Sequence, residues 1–128
     1  ARLPIVACLI FAVAACTAPI RRVDSPNYGW GPRPEVTLAQ IQTEIEKTAR
    51  GQGWQLSEVK TGSFVAKREW GDKGKHNVVV DVVYDRKGFS IRYKDSKQMD
   101  YDGKSIHHTY NAMVERLEEG IKASVSPL

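Results

Sequence analysis

The sequence predicts an α+β domain: an antiparallel meander sheet of three to four strands with an N-terminal and a C-terminal helix packed on one face, in the order α-β-β-β-β-α. Three observations lead there. Apolar residues recur at helical spacing before Gly51 and again after Ser105. Between Trp54 and Tyr93 they alternate with polar residues instead, and short turns rich in Gly and Asp separate the alternating runs.

The first helix opens at Thr37, because Thr37 with Gln40 three residues later is a capping-box pattern. Leu38, Ile41, Ile45 and Ala49 follow at helical spacing, and Gly51 and Gly53 stop the run. The period then falls to two. Trp54 and Leu56 mark one strand, and Phe64 and Ala66 mark the next after the Thr61-Gly62 turn. Val78, Val80, Val82 and Tyr84 follow the turn Gly71-Asp72-Lys73-Gly74; Phe89, Ile91 and Tyr93 follow Asp85 to Gly88. These residues define the core face. The opposite face carries Lys67, Glu69, Asp81, Arg92 and Lys94, interrupted by Val65, Val79 and Val83. A final helix is expected from about Ser105 to Ala123, its buried stripe being Ile106, Tyr110, Met113, Leu117 and Ile121. This domain occupies residues 37–125.

The front of the chain reads differently. Leu3 to Ala15 carries no charge, follows Arg2 and ends in Val13-Ala14-Ala15-Cys16, the layout of a secretory signal peptide over residues 1–15. Thirteen such residues at ~1.5 Å each span about 20 Å, short of the roughly 30 Å hydrocarbon core, so a transmembrane anchor fits less well. Val-Ala-Ala-Cys resembles the lipobox of bacterial lipoproteins, in which small side chains precede the cut and the cysteine thiol takes the lipid. Lipidation is therefore expected at Cys16, and palmitate is among the acyl chains such a residue carries. Two or three acyl chains hold a protein firmly where one does not. Thr17 stands where an aspartate would resemble an inner-membrane retention signal, so the expected location is the periplasmic side of the outer membrane. Because the sequence opens at Ala1, part of a basic start is expected to be missing.

Residues 16–36 hold Pro19, Pro26, Pro32 and Pro34 with Gly29 and Gly31 and show little periodicity, the composition of a flexible tether. With Cys8 in the leader and Cys16 acylated, the mature domain has neither a disulfide nor a catalytic thiolate.

Chemistry-bearing patterns are few. Gly103-Lys104-Ser105 lacks the upstream glycine of a phosphate loop, since Gln98 stands there. Asp100, Asp102 and Gly103 lack the first and last carboxylates of a calcium loop, where Gln98 and Thr109 stand. His107 and His108 diverge by about 100° on a helix, and His76 belongs to another element, so no metal site and no cofactor is expected. The formal charge of +4 suits anionic lipid or cell-wall polymer, and an exported domain meets no genomic nucleic acid.

From Gly53 to Ile121 the chain resembles a family of small, uncharacterised proteobacterial lipoproteins. The matching residues are Gly62-Ser63-Phe64-Val65-Ala66, the strand pair His76 to Tyr84 and Ser90 to Tyr93, then Ser96, Met99 and Tyr101 leading into Ile106-His107 and Tyr110-Asn111. Gln98-Met99 stands where asparagine and leucine are expected, and Met113 where tryptophan is common. The resemblance implies a fold and an envelope location, and no activity.

The expected function is a non-enzymatic interaction module in the bacterial envelope. Its partners would be envelope proteins, cell-wall polymer or a second copy of the chain, met through an exposed patch of Val65, Val79 and Val83. The rival is a periplasmic ligand binder or enzyme using His107, Tyr110 and Asn111 near Tyr101. For these four residues the structural expectation is a latch, with His107 or Asn111 hydrogen-bonded to the loop after the fourth strand.

Overall fold

The computed structural model describes residues 16–29 and 31–128. The signal peptide expected over 1–15 lies outside them. In chain order the elements are β1 (Thr17–Pro19), β2 (Val23–Ser25), α1 (Leu38–Gly51), β3 (Gln55–Lys60), β4 (Ser63–Trp70), a short 3-10 turn (Asp72–Gly74), β5 (His76–Tyr84), β6 (Phe89–Lys97), β7 (Ser105–His107) and α2 (His108–Val125).

The α+β class holds, with one helix before the long meander strands, one after, and the two packed together. The sheet is larger than expected: five antiparallel strands in the order β2-β6-β5-β4-β3, instead of three to four. The addition is β2, which pairs Val23 with Ile91 and Ser25 with Phe89. A separate two-stranded ribbon joins β1 to β7, Thr17 opposite His107 and Pro19 opposite Ser105.

Those two strands come from the stretch expected to be a flexible tether, and that expectation fails. Several described residues of this stretch lie against the domain. Tyr28 is fully buried, stacks on Phe89 at 5.5 Å, and donates its hydroxyl to the Asp85 carbonyl at 2.6 Å. Burial raises its pKa well above the usual phenol range. Arg86, in the turn between β5 and β6, holds the proline-rich part by donating to the carbonyls of Val36 (2.9 Å), Arg33 (3.1 Å) and Pro34 (3.2 Å). Proline forbids helix, and it does not forbid a docked extended chain whose carbonyls find donors elsewhere.

α1 starts as its residues dictate. The Gln40 N–H donates to Thr37 Oγ1 at 3.2 Å and the Thr37 N–H to Gln40 Oε1 at 2.8 Å, a reciprocal capping box. Its buried stripe is Ile41, Ile45 and Ala49. α2 departs from expectation at its start, since Ser105–His107 is strand and the helix begins at His108. Ile106 is thus buried from a strand, and the helical stripe is Tyr110, Val114, Leu117, Ile121 and Val125, with Met113 only partly buried. Thr48 Oγ1 donates to Ser124 Oγ at 2.9 Å, tying α1 to α2.

The core lies between the helix pair and the inner sheet face, where Phe64, Ala66, Val78, Val80, Val82 and Ile91 are buried. Each fully buried aliphatic side chain contributes roughly 1.5–3 kcal/mol relative to exposure. Between β5 and β6 the register slips, with Val79 opposite Asp95 but Val80 opposite Tyr93. Tyr93, opposite Val80, is on the core side by simple alternation from Ile91, and the bulge that follows places Ser96 opposite Val78 on that same side.

Candidate functional site

The four patch residues converge at one end of the domain, where β7 enters α2. Tyr110 is fully buried and its hydroxyl has no hydrogen-bond partner among the described residues. Desolvation first, then the neighbouring Tyr93 and Tyr101, push its pKa far above the phenol range, so it is neutral at every physiological pH. Tyr93 is the hub. Its ring stacks on Tyr101 at 4.0 Å and meets Tyr110 edge-on at 5.8 Å, and its hydroxyl lies 2.8 Å from Ser96 Oγ. Tyr101 covers this cluster and is itself 41% exposed.

A latch exists, with a partner other than the one expected. Asn111 Oδ1 accepts from the Arg21 backbone N–H at 2.8 Å, and its Nδ2 donates to the Pro19 carbonyl at 2.9 Å. It therefore clasps the strand-flanking N-terminal segment and not the loop after β6. Of the patch, the His107 backbone reaches that loop, its N–H donating to the Met99 carbonyl at 2.8 Å, and His76 Nδ1 lies 3.0 Å from the Gln98 carbonyl. The His107 side chain is spent locally: Nδ1 accepts from the Thr109 N–H at 3.2 Å and caps α2, while the ring stacks on His108 at 4.4 Å.

Arg21 extends the clasp. Its Nη2 donates to Glu118 Oε1 at 2.7 Å, and Lys122 reaches the other oxygen of Glu118 at 3.3 Å. The hydrogen bond to Glu118 raises the Arg21 pKa against the cost of burial. For Glu118 burial pushes upward, but the hydrogen bonds and charges of Arg21 and Lys122 outweigh it and leave the carboxyl below its usual range. In the sequence Arg21 is one charge in a proline-rich stretch. Its role in the clasp is not legible there, because 97 residues separate it from Glu118.

Cys16 is exposed, and its carbonyl accepts from the His108 N–H at 3.4 Å. The sequence-predicted valines lie on the uncovered sheet face, each directly opposite a polar residue. Val65 pairs with Asp81, Val79 with Lys67, and Val83 with Ser63, so apolar and polar residues alternate across the strands. Val83 is 50% exposed; Val65 and Val79 are half-buried. Asp81 pairs with Lys94 at 3.6 Å, and Arg92 with Asp24.

Two cavities adjoin the tyrosine cluster. One is a shallow, open hollow over Ser96, Gln98 and Asp100. The other, about 270 Å³, is more closed and lies where the chain leaves β1 for β2, lined by Arg21, Arg22, Arg92, Tyr93, Tyr101 and Gly103. His107, Tyr110 and Asn111 line neither. Among the described residues no group of three or more His, Cys, Asp or Glu is placed to hold a metal ion, and no helix is long and apolar enough to cross a membrane. Comparison with family models, with curated proteins and with solved structures finds no match to this chain.

Proposed function

We propose that this chain is a lipoprotein of the bacterial outer membrane, acylated at Cys16, whose single α+β domain is a non-enzymatic interaction module on the periplasmic side. The observation that carries the reading is Val13-Ala14-Ala15-Cys16 at the end of an uncharged apolar run. The resemblance to small proteobacterial lipoproteins belongs to the same proposal. Cys16 is exposed at the start of β1, a placement an acyl chain requires. Because β1 is paired with β7, the acylated residue would hold the domain against the bilayer surface with no spacer between them.

Support for a module over an enzyme comes from how the patch is used. Tyr110 is buried, the Asn111 amide is bonded on both sides, and His107 caps a helix, so none of the three is presented to a substrate. The alternating outer face leaves a protein partner or a second copy as candidates for the uncovered sheet, with charged pairs setting the register.

Radiolabelled palmitate tests the anchor. Wild type should incorporate label and fractionate with outer membranes, and Cys16→Ser should lose both, since Cys8 lies inside the expected leader. Normal processing and outer-membrane fractionation of Cys16→Ser would overturn the reading.

A further inference from the structure

The cavity between β1, β2 and the tyrosine cluster shares Arg21 with the clasp and adds Arg22 and Arg92, which the clasp does not use. Three arginines meet there in a chain region that spans only Arg21 and Arg22 on one side and Arg92 on the other. Arg21 is balanced by Glu118 and Arg92 by Asp24, and both pairs fix the direction of a guanidinium. Arg22 is exposed and has no ion-pair partner among the described residues, which leaves one positive charge uncompensated at the mouth. The Arg21 and Arg92 side chains stay 40% and 42% exposed, so each presents guanidinium N–H groups beyond those its carboxylate takes up, while Arg21 Nε itself is buried. In the loop beside Gly103, Asp102 turns Oδ1 onto the N–H groups of Lys104 (2.9 Å) and Ser105 (2.7 Å). Those bonds, Ser105 first, hold it ionised below its usual range and occupied with the loop.

The remaining wall is aromatic. Tyr101 stacks on Tyr93 and is 41% exposed, and Gly103, at φ +97°, completes the rim with backbone. A volume of about 270 Å³ sits at the low end of small-molecule sites, which begin at roughly 300 Å³, so the cavity takes a small group and not a large ligand. Guanidinium groups favour anions that accept several hydrogen bonds at once, and a phosphate offers three oxygens to a carboxylate's two, which suits donors converging from more than one arginine.

We infer that this cavity is a phosphate-binding site, in which Arg22, Arg21 and Arg92 hold the phosphate of a small headgroup or sugar while Tyr101 packs against the group that carries it. Two sources share this chemistry, a phospholipid headgroup in the adjacent leaflet and a soluble phosphate compound. The site does not require acylation, so its failure and the failure of the lipoprotein reading are separate results.

The test is calorimetric titration of the full chain in uncharged maltoside micelles. One arm adds inorganic phosphate; the other adds phosphatidylglycerol to the micelles, with plain micelles as the blank. Arg22→Ala removes an exposed side chain without an ion pair, so its melting temperature should match wild type, and its affinity should fall about tenfold, the loss of one charge-assisted hydrogen bond. Lys87→Ala, in the turn between β5 and β6, should bind as wild type. Arg22-dependent binding in the lipid arm alone assigns the site to a headgroup, and in the phosphate arm alone to a soluble compound; in both arms it assigns the site to phosphate as such. No binding in either arm, or equal binding by Arg22→Ala and Lys87→Ala, overturns the inference.

Discussion

Asn111→Ala isolates the clasp between α2 and the N-terminal segment. The variant removes an acceptor for the Arg21 N–H and a donor to the Pro19 carbonyl, at 2.8 and 2.9 Å. The first bond is partly buried, so its loss leaves an N–H without a partner and costs about 1 kcal/mol. The second faces solvent, where water replaces most of it, and adds roughly 0.5 kcal/mol. At about 4 °C per kcal/mol for a domain of this size, the melting temperature should fall by about 6 °C. Asn111→Asp keeps the acceptor for the Arg21 N–H and loses only the donor, so it should fall by less. Thermal melts followed by circular dichroism measure both. Amide exchange gives the local check, since the Arg21 N–H on Asn111 and the Ile20 N–H on the Lys104 carbonyl should exchange faster in Asn111→Ala. An unchanged melting temperature with unchanged protection of Arg21 would refute the clasp.

Two further outcomes follow from geometry and charge. A Cβ on Gly88 would collide with the Ser25 carbonyl and lie 2.8 Å from the Pro26 carbonyl carbon, and backbone cannot rotate away, so Gly88→Ala should cost about 3 kcal/mol in urea unfolding by prising β2 from β6. Glu118 is held below its usual range when folded, so its contribution is complete above the unfolded value of about 4.3 and lost as pH falls through the folded one. Glu118→Gln should therefore be less stable than wild type at neutral pH and converge with it in acid; a constant difference from pH 7 to pH 2 would contradict the ion pair.

What the residues disclose on their own is whatever depends on neighbours in sequence. Thr37 and Gln40 cap α1 through contacts three residues apart, and the alternation from Phe64 to Ile91 reports one wet and one dry face strand by strand. β1 and β2 were illegible because three residues cannot display a period, and their pairing energy comes from β7 and β6, about 90 and 68 residues away in sequence. The start of α2 was misplaced for a different reason. Ile106 and Tyr110 are four apart and both fully buried, which a helix would produce; here a strand turning straight into a helix produces the same spacing, and the His107 side chain marks the boundary by accepting from Thr109.

The same limit explains why the candidate patch was found and its partner was not. Tyr101, His107, Tyr110 and Asn111 lie within eleven residues and share a helix entrance, so their proximity could be read from the chain. Their counterparts Pro19 and Arg21 are brought in by the ribbon, a tertiary event, whereas Tyr93 meets Tyr110 from the core face that its alternation with Phe89 and Ile91 already marks. An amide at Asn111 satisfies two backbone groups of a segment that has no regular ladder to complete it there, which is the work an Asn side chain does better than any apolar residue. With Asn111 and His107 committed to backbone, and Tyr110 sealed beneath Tyr93, the polar surface left for a ligand at this end of the domain shifts to Arg22, Arg92 and the exposed part of Tyr101.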